Sequence, residues 1–272
     1  MATLAIPTIT PLEFSGGKGQ PYLTPMGALP SVTTILRETA SEETRMKLAK
    51  WAKSKRSGID PAERGTMVHH AIEALLKGEP AQLPQSLMGF YESVLPILKG
   101  ITHVASEICC YHPDGYAGRA DCLALVDGEL TLLDWKTTTK PFLYGSVDEY
   151  LAEIQNWDNR IAEARQQERD HVLSAAAAAK LVRKIQGHRS RVMSDLERRT
   201  DYLMQLAAYA RALEHTYGLT IDRAQIVLIL PDQPAMVVAM KHGSIRLMFE
   251  QFRERLDSYA IQALQKGGDS HE

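Results

Sequence analysis

The chain has 272 residues, 44% of them hydrophobic, enough for one large α/β domain with an insertion or two smaller domains whose core needs no external staple. Thirty-one basic against 33 acidic residues leave a formal net charge of −2, so a polyanion partner would have to meet a local basic patch rather than a uniformly basic surface. The three cysteines, Cys109, Cys110 and Cys122, form no Cys-x-x-Cys pair and have no fourth thiol, which excludes a four-thiolate zinc or iron–sulfur centre. Reduced cysteines in a cytoplasmic setting are expected. The first residues lack a basic n-region, Pro7 and Pro11 break their apolar stretch, and no apolar run approaches membrane-spanning length, so a soluble, untargeted protein is expected.

Residues 1–30 carry Gly16, Gly17, Gly19 and five prolines, which predicts an irregular arm or a short β-hairpin. From Ser31 the pattern turns helical. Ser31 and Ser41 are suited to N-caps, and Glu42 and Glu43 to the positive end of a helix running toward Lys55. A further helix over 64–77 turns Val68, Ala71, Ile72 and Leu75 inward, and another spans 84–98 before Gly100 stops it. Three helices are thus expected before any strand. Strand signals then follow over 103–112, 116–126 and 130–136, with Asp127-Gly128 as the tight turn of an antiparallel meander. Residues 148–217 contain no proline and one glycine, Gly187, which predicts two long helices meeting at a hinge there. Two more strands, 224–231 and 235–241, surround Pro231-Asp232-Gln233-Pro234, and an amphipathic helix over 243–265 closes the chain.

The chemistry centres on Gly118-Arg119-Ala120-Asp121 in one strand and Asp134-Trp135-Lys136-Thr137 at the end of the next. Strand side chains alternate faces, so Asp134 and Lys136 share one surface while Trp135 points away. The hairpin between the strands brings Asp121 toward Asp134, giving two hard oxygen ligands for Mg²⁺ or Mn²⁺ beside a lysine. Such a site suits phosphodiester hydrolysis, with the metal activating water and neutralising phosphate charge and Lys136 orienting the water or steadying the transition state. An acid-x-Lys triplet alone carries little weight, because a chain of this composition yields about one or two by chance, and a solvated ion pair is the ordinary explanation. Two polar pairs add to it. His69 and Glu73, in Gly65-x-x-x-His69-x-x-x-Glu73, lie four apart on one helix, and so do Gln205 and Tyr209 on another.

These four motifs in this order resemble the PD-(D/E)XK nuclease superfamily in its RecB-like branch, and the segment from Pro30 to Leu36 resembles the one that opens the nuclease domain in exonucleases of that branch, phage ones included. The resemblance covers residues 30 to about 240. It implies an α/β fold: a restriction-endonuclease-like core with a mixed central sheet flanked by helices. The expected organisation is an arm over 1–30 and a nuclease domain over 31–272 with a helical hairpin inserted at about 148–200. By resemblance Asp121, Asp134 and Lys136 are catalytic, with Glu107 an added acidic position. His69, Asp121, Asp134 and the Trp135 backbone carbonyl would hold the metal, Mg²⁺ with Mn²⁺ able to substitute, and no iron–sulfur cluster is expected. Arg119, Gln205 and Tyr209 would contact DNA, Glu73 is a weaker member of the set, and Ser31 and Thr33 either touch phosphate or simply start a helix.

The seventy residues between Lys136 and Gln205 exceed what compact members of the branch need. Residues 148–170 carry seven acids and three arginines, whereas 180–199 carry seven basic residues, among them Lys180, Arg183 and Lys184, against two acids. Either the basic helix guides single-stranded DNA by phosphate contacts, or the acidic and basic helices pair with one another or dock a partner. The resemblance implies a Mg²⁺-dependent exonuclease acting on single-stranded DNA ends in recombination, replication or repair, in a bacterial or phage-infected cytoplasm, with a recombination or replication protein as partner. The alternatives are a structure-specific endonuclease on the same fold and a silent DNA-binding or adaptor module.

Overall fold

The computed structural model describes residues 9–17, 19–53 and 58–268. The chain's first eight residues, Lys55 and the last four residues lie outside that description. Two compact units divide the chain: a sheet unit, Met1–Pro141 with Tyr202–Glu272, and a helical unit, Phe142–Asp201.

The sheet unit begins with a three-stranded antiparallel meander, β1 (Ser15–Gly17), β2 (Gln20–Thr24) and β3 (Gly27–Leu29). It replaces the expected arm or hairpin, so three strands precede the helices. Glycine makes the register shift inside β1 possible: Gly16 has φ 104, and a Cβ there would sit 2.0 Å from the Pro21 carbonyl oxygen.

Helix α1 (Val32–Glu38) starts at Ser31, whose hydroxyl accepts from the Thr34 N–H. Helix α2 (Glu42–Lys53) starts likewise, with Ser41 accepting from Thr44 N–H and two glutamates in its first turn. Asp60 caps α3 (Pro61–Leu76), which has proline at its first helical position, where a missing N–H costs nothing. A 3₁₀ turn at Gln85–Leu87 leads into α4 (Met88–Lys99).

The central sheet follows: β4 (Ile101–His112), β5 (Tyr116–Val126), β6 (Glu129–Thr137), β7 (Arg223–Ile229) and β8 (Met236–Lys241), in that order across the sheet. All neighbours are antiparallel except β6 and β7, which run parallel because the chain leaves and returns through helices between them. Val68 and Ile72 of α3 and Phe90, Val94 and Leu98 of α4 pack on Cys122, Leu133, Trp135, Val227 and Ile229. Trp135 thus points into the apolar layer, as alternation requires of the neighbour of two polar residues. Helix α7 (His242–Gly268) closes the unit, burying Ile245, Phe249, Phe252 and Leu256. The mixed sheet flanked by helices is the architecture the sequence resemblance implies.

In the helical unit, α5 (Val147–Arg169) starts at the Ser146 cap, and α6 (Ala175–Tyr217) is a 43-residue helix that runs on into the sheet unit after residue 201. The turn falls at 170–174, not at Gly187. Gly187 is exposed inside α6, where a mid-helix glycine costs about 1 kcal/mol but breaks no hydrogen bond. The chain instead reverses where His171 takes a left-handed φ of 58 and Ser174 caps the next helix through Ala177 N–H. Among the described residues, no helix is long and apolar enough to cross a membrane.

Candidate active site

The turn at Asp127 and Gly128, with φ 53 and 80, has the left-handed backbone of a two-residue hairpin and fixes the register of β5 against β6. Pairing runs from Val126↔Glu129 to Cys122↔Leu133 and then stops, one step before Asp121 and Asp134. There Asp121 substitutes for the missing strand partner: its Oδ2 accepts the Trp135 N–H at 2.8 Å. On the other side, Ser106↔Cys122 and Ile108↔Ala120 set Glu107 across from Asp121. Three acids from three strands therefore stand in one row. Glu107 holds φ 51, a left-handed conformation uncommon for a glutamate and a sign of local strain at this point of β4.

Helix α3 adds His69, whose Nδ1 is 3.8 Å from Asp121 Oδ2 and which hydrogen-bonds the Trp135 backbone. Ligand atoms of His69, Glu107 and Asp121 all lie within 4.8 Å of one another. An imidazole with two carboxylates this close fits a divalent cation of the Mg²⁺ or Mn²⁺ kind.

The second half of the cluster is Asp134, 1% exposed, with Lys136. Lys136 Nζ is 2.6 Å from Asp134 Oδ2 and donates to Gln205 Oε1 at 3.0 Å. Gln205 Nε2 in turn faces Asp134 Oδ1 at 3.5 Å and donates to the Tyr209 hydroxyl at 3.1 Å. Helix α6 is fixed here by the Tyr116 hydroxyl on the Ala208 carbonyl and the Tyr217 hydroxyl on the Cys109 carbonyl.

Burial and then the neighbouring Asp134 push the Asp121 carboxyl up to about 7, against the pull of Lys136 and the Trp135 N–H. Burial also raises Glu107, opposed by Arg119, and lowers His69, helped by Lys136. Lys136 goes the other way. Burial works against its charge, yet Asp134 and then Asp121 outweigh that and hold it above the ordinary lysine value, so it is an ammonium donor and not a base. Excess negative charge gathered in a partly dry cleft is what a bound cation relieves.

The structure thus brings together Asp121, Asp134, Lys136, His69, Glu107, the Trp135 backbone, Gln205 and Tyr209. Arg119 joins them through Glu107, Nε to Oε2 at 2.8 Å. Glu73 pairs instead with Lys77 one turn on, at 2.7 Å. Ser31 is buried as the cap of α1, bonded to Thr33 and Thr34, and Thr33 is exposed. Lys180, Arg183 and Lys184 are exposed residues of the helical unit.

Three residues escape the sequence reading. The Tyr202 ring lies 5.1 Å from Lys136 Nζ, a cation–π contact whose signal is its place one turn before Gln205. Gly118 is needed for space, since a Cβ there would be 2.4 Å from the Tyr209 ring. Tyr22, on β2, lies within electrostatic reach of Arg119 and Glu107.

Comparison with known proteins points the same way. Mitochondrial genome maintenance exonuclease 1 of Homo sapiens is 30% identical over 131 residues, covering 42% of this chain and 38% of the human protein. In sequence, the chain resembles exonuclease-type nucleases. The Mus musculus protein of that name is 32% identical over 133 residues and the Xenopus tropicalis one 31% over 136, each match covering 38% of the relative. The chain therefore aligns with well under half the length of these relatives. A crystal structure from Eubacterium rectale, of a protein described as an exonuclease, has a TM-score of 0.43 at 9% identity over 85% of this chain and 80% of that one. No protein-family model matches the chain.

Proposed function

We infer that the protein is a metal-dependent DNA exonuclease that hydrolyses phosphodiesters at single-stranded ends. The observation that carries the reading is the single cluster formed by two acids, a lysine and a histidine from three separate elements, joined through the Asp121 to Trp135 hydrogen bond. The similarity to curated exonucleases supports the same class.

In this reading His69, Asp121, Asp134 and the Trp135 carbonyl, joined by Glu107, hold Mg²⁺ or Mn²⁺. The bound cation would lower the pKa of an attacking water and offset phosphate charge. Lys136 presents its ammonium to the scissile phosphate and stabilises negative charge as the P–O bond breaks. Gln205 fixes that ammonium, since its amide oxygen accepts from Lys136 while its NH₂ group donates to Tyr209. Tyr202 covers the same lysine. Arg119 contacts the DNA backbone, and the exposed Lys180, Arg183 and Lys184 add phosphate contacts along the strand. The nuclease domain begins at the Ser31 cap, with the helical hairpin inserted into it. Recombination, replication or repair is the setting, with a recombination or replication protein recruiting the enzyme in the cytoplasm.

Digestion of end-labelled linear and of circular single-stranded DNA with Mg²⁺, Mn²⁺ or EDTA tests this, using wild type, Asp134→Ala and Lys136→Ala. Metal-dependent loss of the linear strand, intact circles and inactive variants are expected. Cut circles would make the enzyme an endonuclease, and DNA binding without cleavage under any metal would make it an adaptor.

A further inference from the structure

Glu107 answers to two cationic positions at once. Its carboxylate belongs to the donor set with His69 and Asp121, while its Oε2 is 2.8 Å from Arg119 Nε. A dication held by that set and a guanidinium on the same carboxylate repel each other and compete for one acceptor. The arginine's charge also reaches Asp121. Arg119 is not locked in place: its side chain is 49% exposed, on β5, against 29% for Glu107. A planar guanidinium open to solvent beside a phosphodiester site matches phosphate geometry better than it matches one carboxylate oxygen. The left-handed backbone at Glu107 sets the direction in which its side chain leaves β4, a feature that does not depend on the arginine.

We propose that Arg119 couples substrate to metal: a backbone phosphate of the nucleic acid takes the guanidinium from Glu107, and the released carboxylate tightens the hold of His69 and Asp121 on the divalent cation. The inference rests on the metal-dependent nuclease reading of the same site and gives it an order. Metal binds weakly to the free protein and firmly once a strand is seated, which limits cleavage to engaged DNA. Linkage makes the coupling reciprocal, so the cation must raise DNA affinity by the same factor.

Mn²⁺ binding to the full chain, measured by titration calorimetry, tests this with and without a saturating phosphorothioate-linked oligothymidylate, for wild type, Arg119→Ala and Arg119→Lys. In wild type the oligonucleotide should tighten Mn²⁺ binding by about 10-fold, within the usual range of coupling between sites. Arg119→Ala should bind Mn²⁺ several-fold tighter than wild type without DNA, and DNA should then add less than about twofold. Arg119→Lys, which keeps a charge by Glu107, should stay within about twofold of wild type for free Mn²⁺. Weaker Mn²⁺ binding by Arg119→Ala, meaning that the arginine orients Glu107, overturns the proposal, as does coupling that survives the substitution. Wild type that binds no Mn²⁺ at all overturns the nuclease reading itself, so the two failures are distinct. Arg119 is a half-exposed strand residue, so both variants are expected to melt as wild type does.

Discussion

The row of acids across β4, β5 and β6 and the charged surface of the α5–α6 hairpin use the same side chains under opposite conditions. Asp134 is 1% exposed, and its partners Lys136 and Gln205 come from two residues along the strand and from 71 residues away. In the hairpin most charges are exposed or half-exposed, with Arg199, bonded to the Tyr144 and Gly145 carbonyls, a buried exception. Arg189 reaches Asp158 across the two helices, while Arg198 pairs with Asp195 within one turn. The exposed charges of the hairpin stay near water and can be changed with little consequence for folding. In the acid row Lys136 keeps its charge through Asp134 and Asp121, and that dependence is also what prepares it for chemistry.

The largest effect should come from breaking the buried pair. Lys136→Ala leaves Asp134 unpaired and is expected to cost about 3–5 kcal/mol of stability, while Asp134→Asn with Lys136→Met regains most of it. Both are expected to cut DNA about 10³-fold more slowly or worse. Chemical denaturation and cleavage rates measured on the same samples check the separation of stability from activity.

Next in size is Gly118→Ala. Its methyl would meet the Tyr209 ring at 2.4 Å, and overpacking of this kind costs about 1–3 kcal/mol. Tyr209 anchors Gln205, so the turnover rate should fall more than the loss of folded protein explains. A melting curve and the rate measured on the same variant separate the two losses.

The Asp121 carboxyl gives the pH dependence. Its folded pKa, about 7, lies above the unfolded carboxylate value, so the metal-free native state keeps a proton that the unfolded chain has lost. Its contribution to stability is therefore full at acid pH and falls as pH rises toward about 7. In EDTA at alkaline pH, Asp121→Asn should melt higher than wild type by about 2–4 °C per kcal/mol of repulsion relieved. Mn²⁺ affinity of the wild type should climb up to about pH 7 and flatten beyond it.

The smallest effect on folding is expected in the hairpin. Changing Lys180, Arg183 and Lys184 to glutamine should alter stability by less than about 0.5 kcal/mol each. DNA affinity should drop and its salt dependence become shallower by about one unit of slope for each phosphate these side chains no longer neutralise. A fluorescence anisotropy titration over salt concentration reads this directly, and an unchanged slope would assign those charges to solvent.

Much of the sheet unit was legible in the sequence, because period-two burial and the Asp127-Gly128 turn leave little freedom: the expected strand over 116–126 is β5 itself. The same alternation placed Trp135 in the core and Asp134 with Lys136 on the opposite face. Other features depend on contacts that no local pattern encodes. The meander near the N-terminus hides behind glycines and prolines that ordinarily signal irregular chain. Gly187 looks like a hinge by propensity, but the chain found its turn at His171 and Ser174 instead. The weight of Glu107 was not visible, since a lone strand glutamate becomes a metal-site candidate only when Asp121 stands across from it and His69 arrives from a helix. Tyr22 and Tyr202 come near the site from a strand close to the N-terminus and a helix far along the chain.

The most direct test of the account takes wild type and Asp121→Asn and measures Mn²⁺ binding and cleavage of linear single-stranded DNA in parallel. Wild type should bind Mn²⁺ and cut only when it is present, and the variant should stay folded and lose both. Cleavage by wild type in excess EDTA, or by Asp121→Asn at a rate near that of wild type, would contradict it.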